Sequence, residues 1–167
     1  TIAPSAVADF KMRIFNADGS EAKMCGNGIR CVGKYVYDHG LTEKETVTVE
    51  TGSGIKELSL HVREGKVETV TVDMGEPVLA AKEIPAVSPD GKETILDVPI
   101  TAGGKEWRVT AVSMGNPHCV TFVKGTASLP LSEIGPYFET HPMFPDRVNT
   151  EFVEVISKEE IRMRVWE

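Results

Sequence analysis

The residue of this 167-residue sequence with the clearest chemical potential is Cys25, which is followed by Gly26-Asn27-Gly28. A helical pattern of apolar residues begins directly afterwards, so we expect the thiol just before a helix N-terminus. The first N–H groups of a helix have no acceptor inside it and carry partial positive charge, so they can hold an anion and favour a thiolate. The two glycines would let a carboxylate approach the backbone closely. The stretch therefore suits a small acidic ligand.

A predicted strand and a predicted helix flank Cys25. Residues 10–15 alternate in polarity, which predicts a strand leading into a turn at residues 16–20. Residues 27–39 carry apolar side chains at helical spacing, and glycine at position 40 is expected to end the helix. The expected buried side of this helix comprises Ile29, Val32, Tyr35 and Val36. Cys31 in the same helix and Cys119 in an apolar run are both expected in the core.

The rest of the chain reads mainly as strands. Residues 46–50 are β-branched, and residues 55–63 and 66–74 alternate around Glu64-Gly65, which predicts a hairpin with a tight turn. A short helix is expected at residues 132–140. Further strands are predicted at residues 94–100, 106–113, 118–123, 150–156 and 161–166. Prolines and polar residues accumulate between residues 75 and 94, which favours a domain boundary near Pro77.

Two long ungapped motifs surround the thiol, Phe-Asn-Ala-Asp-Gly-Ser-Glu at residues 15–21 and Met-Cys-Gly-Asn-Gly-Ile-Arg-Cys at residues 24–31. Further blocks follow at residues 114–118, 144–149 and 164–167. With these blocks the sequence closely resembles the diaminopimelate epimerase family nearly from end to end. The related proline racemases usually carry histidine at the position of Asn27, which favours the diaminopimelate members.

The resemblance implies an α/β (α+β) fold of two similar halves, each a curled mixed β-sheet around a central helix, with the active site in the cleft between them. Residues 1–76 would form most of the first half, including the Cys25 loop and helix, and residues 77–167 the sheet portion of the second. The family's opening strand and its second-cysteine block would lie outside these residues. We therefore expect an internal fragment, incomplete at both ends and inactive alone.

The resemblance also implies a reaction, the epimerisation of LL-diaminopimelate to meso-diaminopimelate in the lysine and cell-wall precursor pathway. The family uses two facing thiols and neither pyridoxal phosphate nor metal, so no cofactor is expected. Inverting a carbon next to a carboxylate requires a base on one face and an acid on the other. The expected catalytic residues are Cys25, His118 and Glu167. The expected substrate-binding residues are Asn16, Gly26, Asn27, Asn116, Asn149 and Glu167.

Several of these residues have ordinary structural explanations. Asn116 and Asn149 each stand near a proline and could be turn residues, and Glu167 alone would be a solvated charge. A zinc site using the thiols with His39 or His118 is not expected, because the spacing fits no structural zinc motif. The alternative function is a non-catalytic amino-acid-binding or structural module of the same fold. A second cysteine in a Gly-rich loop beyond residue 167 would decide between the two.

Composition excludes several other classes of protein. A net charge of −7 without a basic cluster argues against nucleic acid as a partner. No apolar run approaches the ~18 residues of a membrane span, so we expect a soluble, cytoplasmic protein. Three cysteines without a Cys-x-x-Cys pair do not form a disulfide framework. The expected partner is diaminopimelate as a small-molecule substrate, with a homodimer as one candidate assembly.

Overall fold

The computed structural model describes residues 1–16 and 19–167. This part of the chain divides into two compact units, Thr1–Gly75 and Glu76–Glu167. Each unit contains a five-stranded sheet with one parallel and three antiparallel strand pairs. The predicted mixed α+β fold is confirmed. The predicted turn at residues 16–20 includes Ala17 and Asp18, which lie outside the described residues.

The first unit forms one helix and seven strands among its described residues. These elements are β1 (Ile2–Ala3), β2 (Phe10–Met12), β3 (Ile14–Phe15), β4 (Glu21–Ala22), α1 (Gly26–Asp38), β5 (Thr46–Thr51), β6 (Gly54–Arg63) and β7 (Lys66–Val72). The main sheet has the order β1-β2-β5-β6-β7, and β3 pairs only with β4. The strand predicted at residues 10–15 is therefore interrupted at Arg13, where the chain passes from one sheet to the other.

Helix α1 forms the core of the first unit by packing on β6 and β7. Its buried residues are Ile29, Val32, Gly33 and Val36. These positions recur every three to four residues and so share one side of the helix. Cys31 and Tyr35 lie away from that side and are exposed, so their predicted burial is wrong. Tyr35 instead stacks on His39, with ring centroids 4.2 Å apart.

The hairpin between β6 and β7 confirms the predicted tight turn. Glu64 and Gly65 both have positive φ angles, 52° and 75°, which is the backbone of the two-residue turn that matches strand twist. The helix end is also as predicted, because Gly40 adopts a φ of 69° just beyond α1.

The second unit contains five strands and a two-turn helix among its described residues. They are β8 (Val98–Ala102), β9 (Lys105–Ser113), β10 (Pro117–Phe122), α2 (Leu131–Glu139), β11 (Asn149–Val155) and β12 (Ile161–Trp166). The sheet order is β12-β11-β10-β9-β8, with β10 and β11 parallel. The strand predicted from residue 94 begins only at Val98, because Asp97 has a φ of 51° and cannot continue a strand.

Aromatic side chains hold α2 against the inner face of this sheet. Phe138 of α2 meets Phe152 and Trp107 edge-on, with ring centroids 5.2 and 5.3 Å apart. Trp166 packs against α2 at Gly135, where a Cβ would come within 2.2 Å of the indole ring. The indole N–H also donates to Glu139 at 2.9 Å. One face of β12 is thus fixed to α2.

Neither helix in the described part of the chain combines the length and the apolar character needed to cross a membrane.

Candidate active site

Cys25 caps the N-terminus of α1. Its backbone is extended (φ −145°, ψ 110°), and its carbonyl accepts the first helical hydrogen bond from Ile29 at 3.0 Å. Its Sγ accepts a hydrogen bond from the backbone N–H of Gly28 at 3.3 Å. The thiol is half-buried. The predicted position of Cys25 at a helix start is confirmed, and the sulfur takes the place of the oxygen that usually caps a helix.

The first turn of α1 offers its backbone rather than its side chains. Gly26 and Gly28 have none, and the side-chain oxygen of Asn27 accepts a hydrogen bond from the Arg30 guanidinium. A Cβ at position 28 would lie 3.4 Å from the Cys25 Sγ, in van der Waals contact with the sulfur. N–H groups in a first turn have no acceptor within the helix. An anion near Cys25 would meet those N–H groups.

Asn16 lies at the end of the β3–β4 hairpin that leads to the thiol. Its backbone N–H donates to the Ser20 carbonyl at 2.8 Å, and its side-chain amide donates to the Ser20 hydroxyl at 3.0 Å. Arg13 and Glu21 form a two-point ion pair across the hairpin, with both N···O distances 2.8 Å. Asn16 is exposed.

The candidate residues of the second unit gather at one end of its sheet. His118 on β10 pairs in parallel register with Asn149 on β11. Trp166 pairs with Thr150, so Glu167, which follows β12, lies at the same end. The side chains of His118 and Asn116 are in contact, with Nε2 and Oδ1 3.1 Å apart. Glu167 is exposed.

Glu151 was missed by the sequence analysis. Its Oε1 lies 2.6 Å from Nδ1 of His118, and both side chains are largely buried, with 12% and 22% of their surfaces exposed. Glu151 follows Asn149 by two residues on β11, so both side chains point to the same face of the sheet. That spacing was the available signal, but a lone carboxylate in an alternating strand is usually a solvated one.

Cys119 is a core residue, as predicted. It is fully buried on the face of β10 opposite His118. Burial raises the pKa of its thiol to about 12, and the negative charge of Glu151 adds to the rise. Cys119 therefore stays a neutral thiol at physiological pH. Within residues 1–16 and 19–167, no three His, Cys, Asp or Glu side chains come together to hold a metal ion.

A family model described as diaminopimelate epimerase matches residues 1–80 and 110–167. The diaminopimelate epimerases of Agathobacter rectalis and Acetivibrio thermocellus are 60% and 57% identical to this chain and match 100% and 99% of it. The chain spans 60% and 59% of their respective lengths.

Solved structures share the fold at much lower identity. A probable proline racemase from Agrobacterium radiobacter K84 is 17% identical, with a TM-score of 0.72 over 98% of this chain and 52% of that one. A hydroxyproline epimerase from Agrobacterium vitis, also 17% identical, gives a TM-score of 0.71 over 98% of this chain and 51% of that one. At this identity the likeness is one of fold alone. Together with the family model and the close relatives, the site motifs show that the chain belongs to the diaminopimelate epimerase family.

Proposed function

We propose that the full-length gene product epimerises LL-diaminopimelate to meso-diaminopimelate without a cofactor, as an isomerase of lysine and cell-wall precursor synthesis. Relatives that are 52–60% identical carry the name of this activity, which supports the proposal. The observation that carries the mechanism is the sulfur of Cys25 at the start of α1, 3.3 Å from the Gly28 nitrogen. Cytoplasmic location and homodimerisation stay predictions.

Cys25 acts in this proposal as one of two opposed acid–base groups. A thiolate at a helix N-terminus is stabilised by the partial positive charge of the helix end and by the N–H that it accepts from. It can then remove the proton from the α-carbon on its own face, while an acid on the opposite face returns one. After turnover the two groups have exchanged roles, which suits a reversible reaction.

The first turn of α1 binds the substrate carboxylate in this proposal. Negative charge builds up on the carboxylate as the α-proton leaves, so fixed N–H donors stabilise the transition state more than the ground state. We assign this task to the backbone N–H groups of Gly26 and Asn27. The side chain of Asn27 is engaged by Arg30, which favours a backbone role for this residue.

The polar residues of the second unit complete the proposed site. Their gathering at one end of the sheet supports a shared ligand. We assign His118 and Glu167 to the reacting amine, and Asn116 and Asn149, with Asn16 of the first unit, to the distal amino-acid group. In this assignment residues 1–76 supply the thiol and residues 77–167 supply the groups around the amine.

The test compares Cys25→Ser with Cys31→Ser in the full-length protein. Cys31 is exposed on the solvent side of the same helix, so its substitution is a matched control. The variant at Cys25 should lose at least about 100-fold in kcat, the usual contribution of a general acid–base group, while the variant at Cys31 keeps its activity. Stereoinversion is followed by chiral chromatography.

A second measurement follows solvent exchange in deuterated water. With two bases, deuterium should enter the product before it appears in recovered substrate. Early and equal labelling of both would reject two opposed bases. Binding of diaminopimelate without inversion would instead identify the non-catalytic amino-acid-binding module.

A further inference from the structure

Glu151 and His118 are diagonal neighbours on one face of the second sheet. The parallel register sets His118 opposite Asn149 and Val120 opposite Glu151. Glu151 is therefore one same-face position further along the sheet than His118. Its carboxylate contacts the imidazole diagonally, with Oε1 of Glu151 2.6 Å from Nδ1 of His118. The contact bridges two strands that are joined by the long connection through α2. It thus depends on the tertiary register, not on sequence proximity.

The surroundings of Glu151 are unusual for a carboxylate. Its direct neighbours on the adjacent strands are Val120 and Val165. Oε2 is buried, and it has no hydrogen-bond partner among the residues that the structure describes. Burial of a charged group is costly unless it is paired. The hydrogen bond to His118 offsets part of this cost. If the position had only a structural role in the strand, valine would be the more favourable residue.

The hydrogen bond decides which nitrogen of His118 carries a proton. An ionised carboxylate can only accept, so Nδ1 must be the N–H donor in this contact. Nε2 lies 3.1 Å from the side-chain oxygen of Asn116, which also only accepts. In the Nδ1–H form the Asn116 amide must therefore turn its NH2 group to Nε2, an exchange of N and O that fits the same side-chain outline. A carboxylate bonded to one imidazole nitrogen commonly fixes both the tautomer and the ring orientation for chemistry at the other.

We propose that Glu151 is a positioning residue that holds the imidazole of His118 in the Nδ1–H form and presents Nε2 to the reacting amine. Its catalytic consequence rests on the proposed function, but the positioning itself does not. Glu151 touches no ligand in this role and acts only through His118.

The first experiment needs no substitution at Glu151. Nitrogen-15 spectra of the imidazole groups distinguish an N–H nitrogen from an unprotonated one, and the His118 signals are identified by their loss in His118→Gln. In the ligand-free full-length protein at pH 7, Nδ1 of His118 should appear as an N–H nitrogen. An unprotonated Nδ1 together with an N–H at Nε2 would overturn the proposal.

The second experiment substitutes Glu151 in the full-length protein. Glu151→Leu suits the apolar neighbours but cannot accept a hydrogen bond, so kcat should fall by about 10–100-fold, the range found for the hydrogen-bond partners of metal-binding histidines. KM should change by less than about threefold, because the loss falls on the reacting centre. Glu151→Gln keeps an acceptor oxygen and should retain the Nδ1–H form with most of the activity.

Glu154→Gln is the control for loss of a carboxylate on β11. Glu154 accepts from the backbone N–H groups of Gly125 and Thr126 on the opposite face, so the His118 spectrum and kcat should stay unchanged. Equal loss of activity in the Gln and Leu variants of Glu151 would overturn positioning through the hydrogen bond. If Glu151→Leu does not fold, the wild-type spectrum and Glu151→Gln still decide. A full-length protein without epimerase activity would refute the proposed function, whereas the spectrum would still decide the role of Glu151.

Discussion

Two five-residue segments, one in each unit, have the same residue types in the same order. They are Lys11-Met12-Arg13-Ile14-Phe15 in the first unit and Arg162-Met163-Arg164-Val165-Trp166 in the second. In the first segment the methionine is in the core, only 4% exposed, and the aromatic ring is half-exposed. In the second the methionine is 49% exposed and the aromatic ring packs on a helix. The two similar segments therefore bury opposite sides.

The position of the helix explains this difference. In the first unit α1 and the residues around it cover the face that carries Met12, and Arg13 turns outward to Glu21. In the second unit α2 and the turn before it lie on the other face, where Arg164 donates to the carbonyl groups of Thr126 and Leu129. The opposite face carries His118 and Glu151 at one end and exposed apolar side chains elsewhere, namely those of Phe122, Val155, Ile161, Met163 and Val165. Strands that are apolar on both faces are typical of sheets covered on both sides.

The largest expected effect comes from truncating the two methionines in the 167-residue chain. Met12→Ala should lower the free energy of unfolding by about 2–5 kcal/mol, because it leaves a cavity beside α1. Met163→Ala should change the free energy of unfolding by less than about 0.5 kcal/mol, since its side chain is half-exposed. Urea unfolding followed by circular dichroism measures both. Equal losses would show that the Met163 face is covered after all.

A smaller effect on stability is expected from replacing one helix glycine in each unit by alanine. At Gly135 a new Cβ would overlap the Trp166 ring, so overpacking in Gly135→Ala should lower the free energy of unfolding by about 1–3 kcal/mol. The higher helix propensity of alanine offsets about 1 kcal/mol of this loss. At Gly33 a new Cβ would meet only terminal methyl groups of Leu58 and Leu60, at 2.8 and 2.9 Å, which can move aside. Gly33→Ala should therefore be nearly neutral.

Fluorescence can separate the two units in this experiment. Both tryptophans of the sequence, Trp107 and Trp166, lie in the second unit, so their emission follows its unfolding. The variant at Gly135 should shift the fluorescence transition, and the variant at Gly33 should not. A loss at Gly33 as large as that at Gly135 would contradict the proposed difference between the two contacts.

The smallest expected effect is a loss of stability in acid, and it differs between two ion pairs. The pKa of Asp9 is lowered to about 2, first by the Lys44 ammonium and then by the Thr48 backbone N–H. A lowered pKa stabilises the fold fully above the unfolded value near 4, and this stability is lost as pH falls towards 2. Asp9→Asn should thus lower stability at pH 7 by up to about 1 kcal/mol and flatten the decline between pH 4 and 2.

Asp90 is the matched control for Asp9. The Lys92 ammonium, the Ser88 hydroxyl and the Lys92 backbone N–H also lower its pKa to about 2. These partners are only two residues away, so much of the contact can persist in the unfolded chain. Asp90→Asn should leave the pH dependence of unfolding nearly unchanged. A large effect at Asp90 would mean that the unfolded chain does not keep the local contact.

Features set by local backbone rules were predictable from the sequence. The helix start at Cys25 follows from the glycines and the helical spacing after it, and the Glu64-Gly65 turn follows from the alternation on both sides and from the glycine, which tolerates positive φ. The exposure of Cys31 was not predictable from its helix alone, since a helix has two sides and the sheet selects one. The same holds for Glu151, whose partner is 33 residues away and is reached only through strand register.

The hydrogen bond between the Cys25 Sγ and the Gly28 N–H has a consequence for ligand binding. In the proposed mechanism this N–H stays with the sulfur, and the carboxylate takes the N–H groups of Gly26 and Asn27. Thiol and anion thus draw on different donors of one helix end. The anion can then bind without releasing the sulfur from its cap.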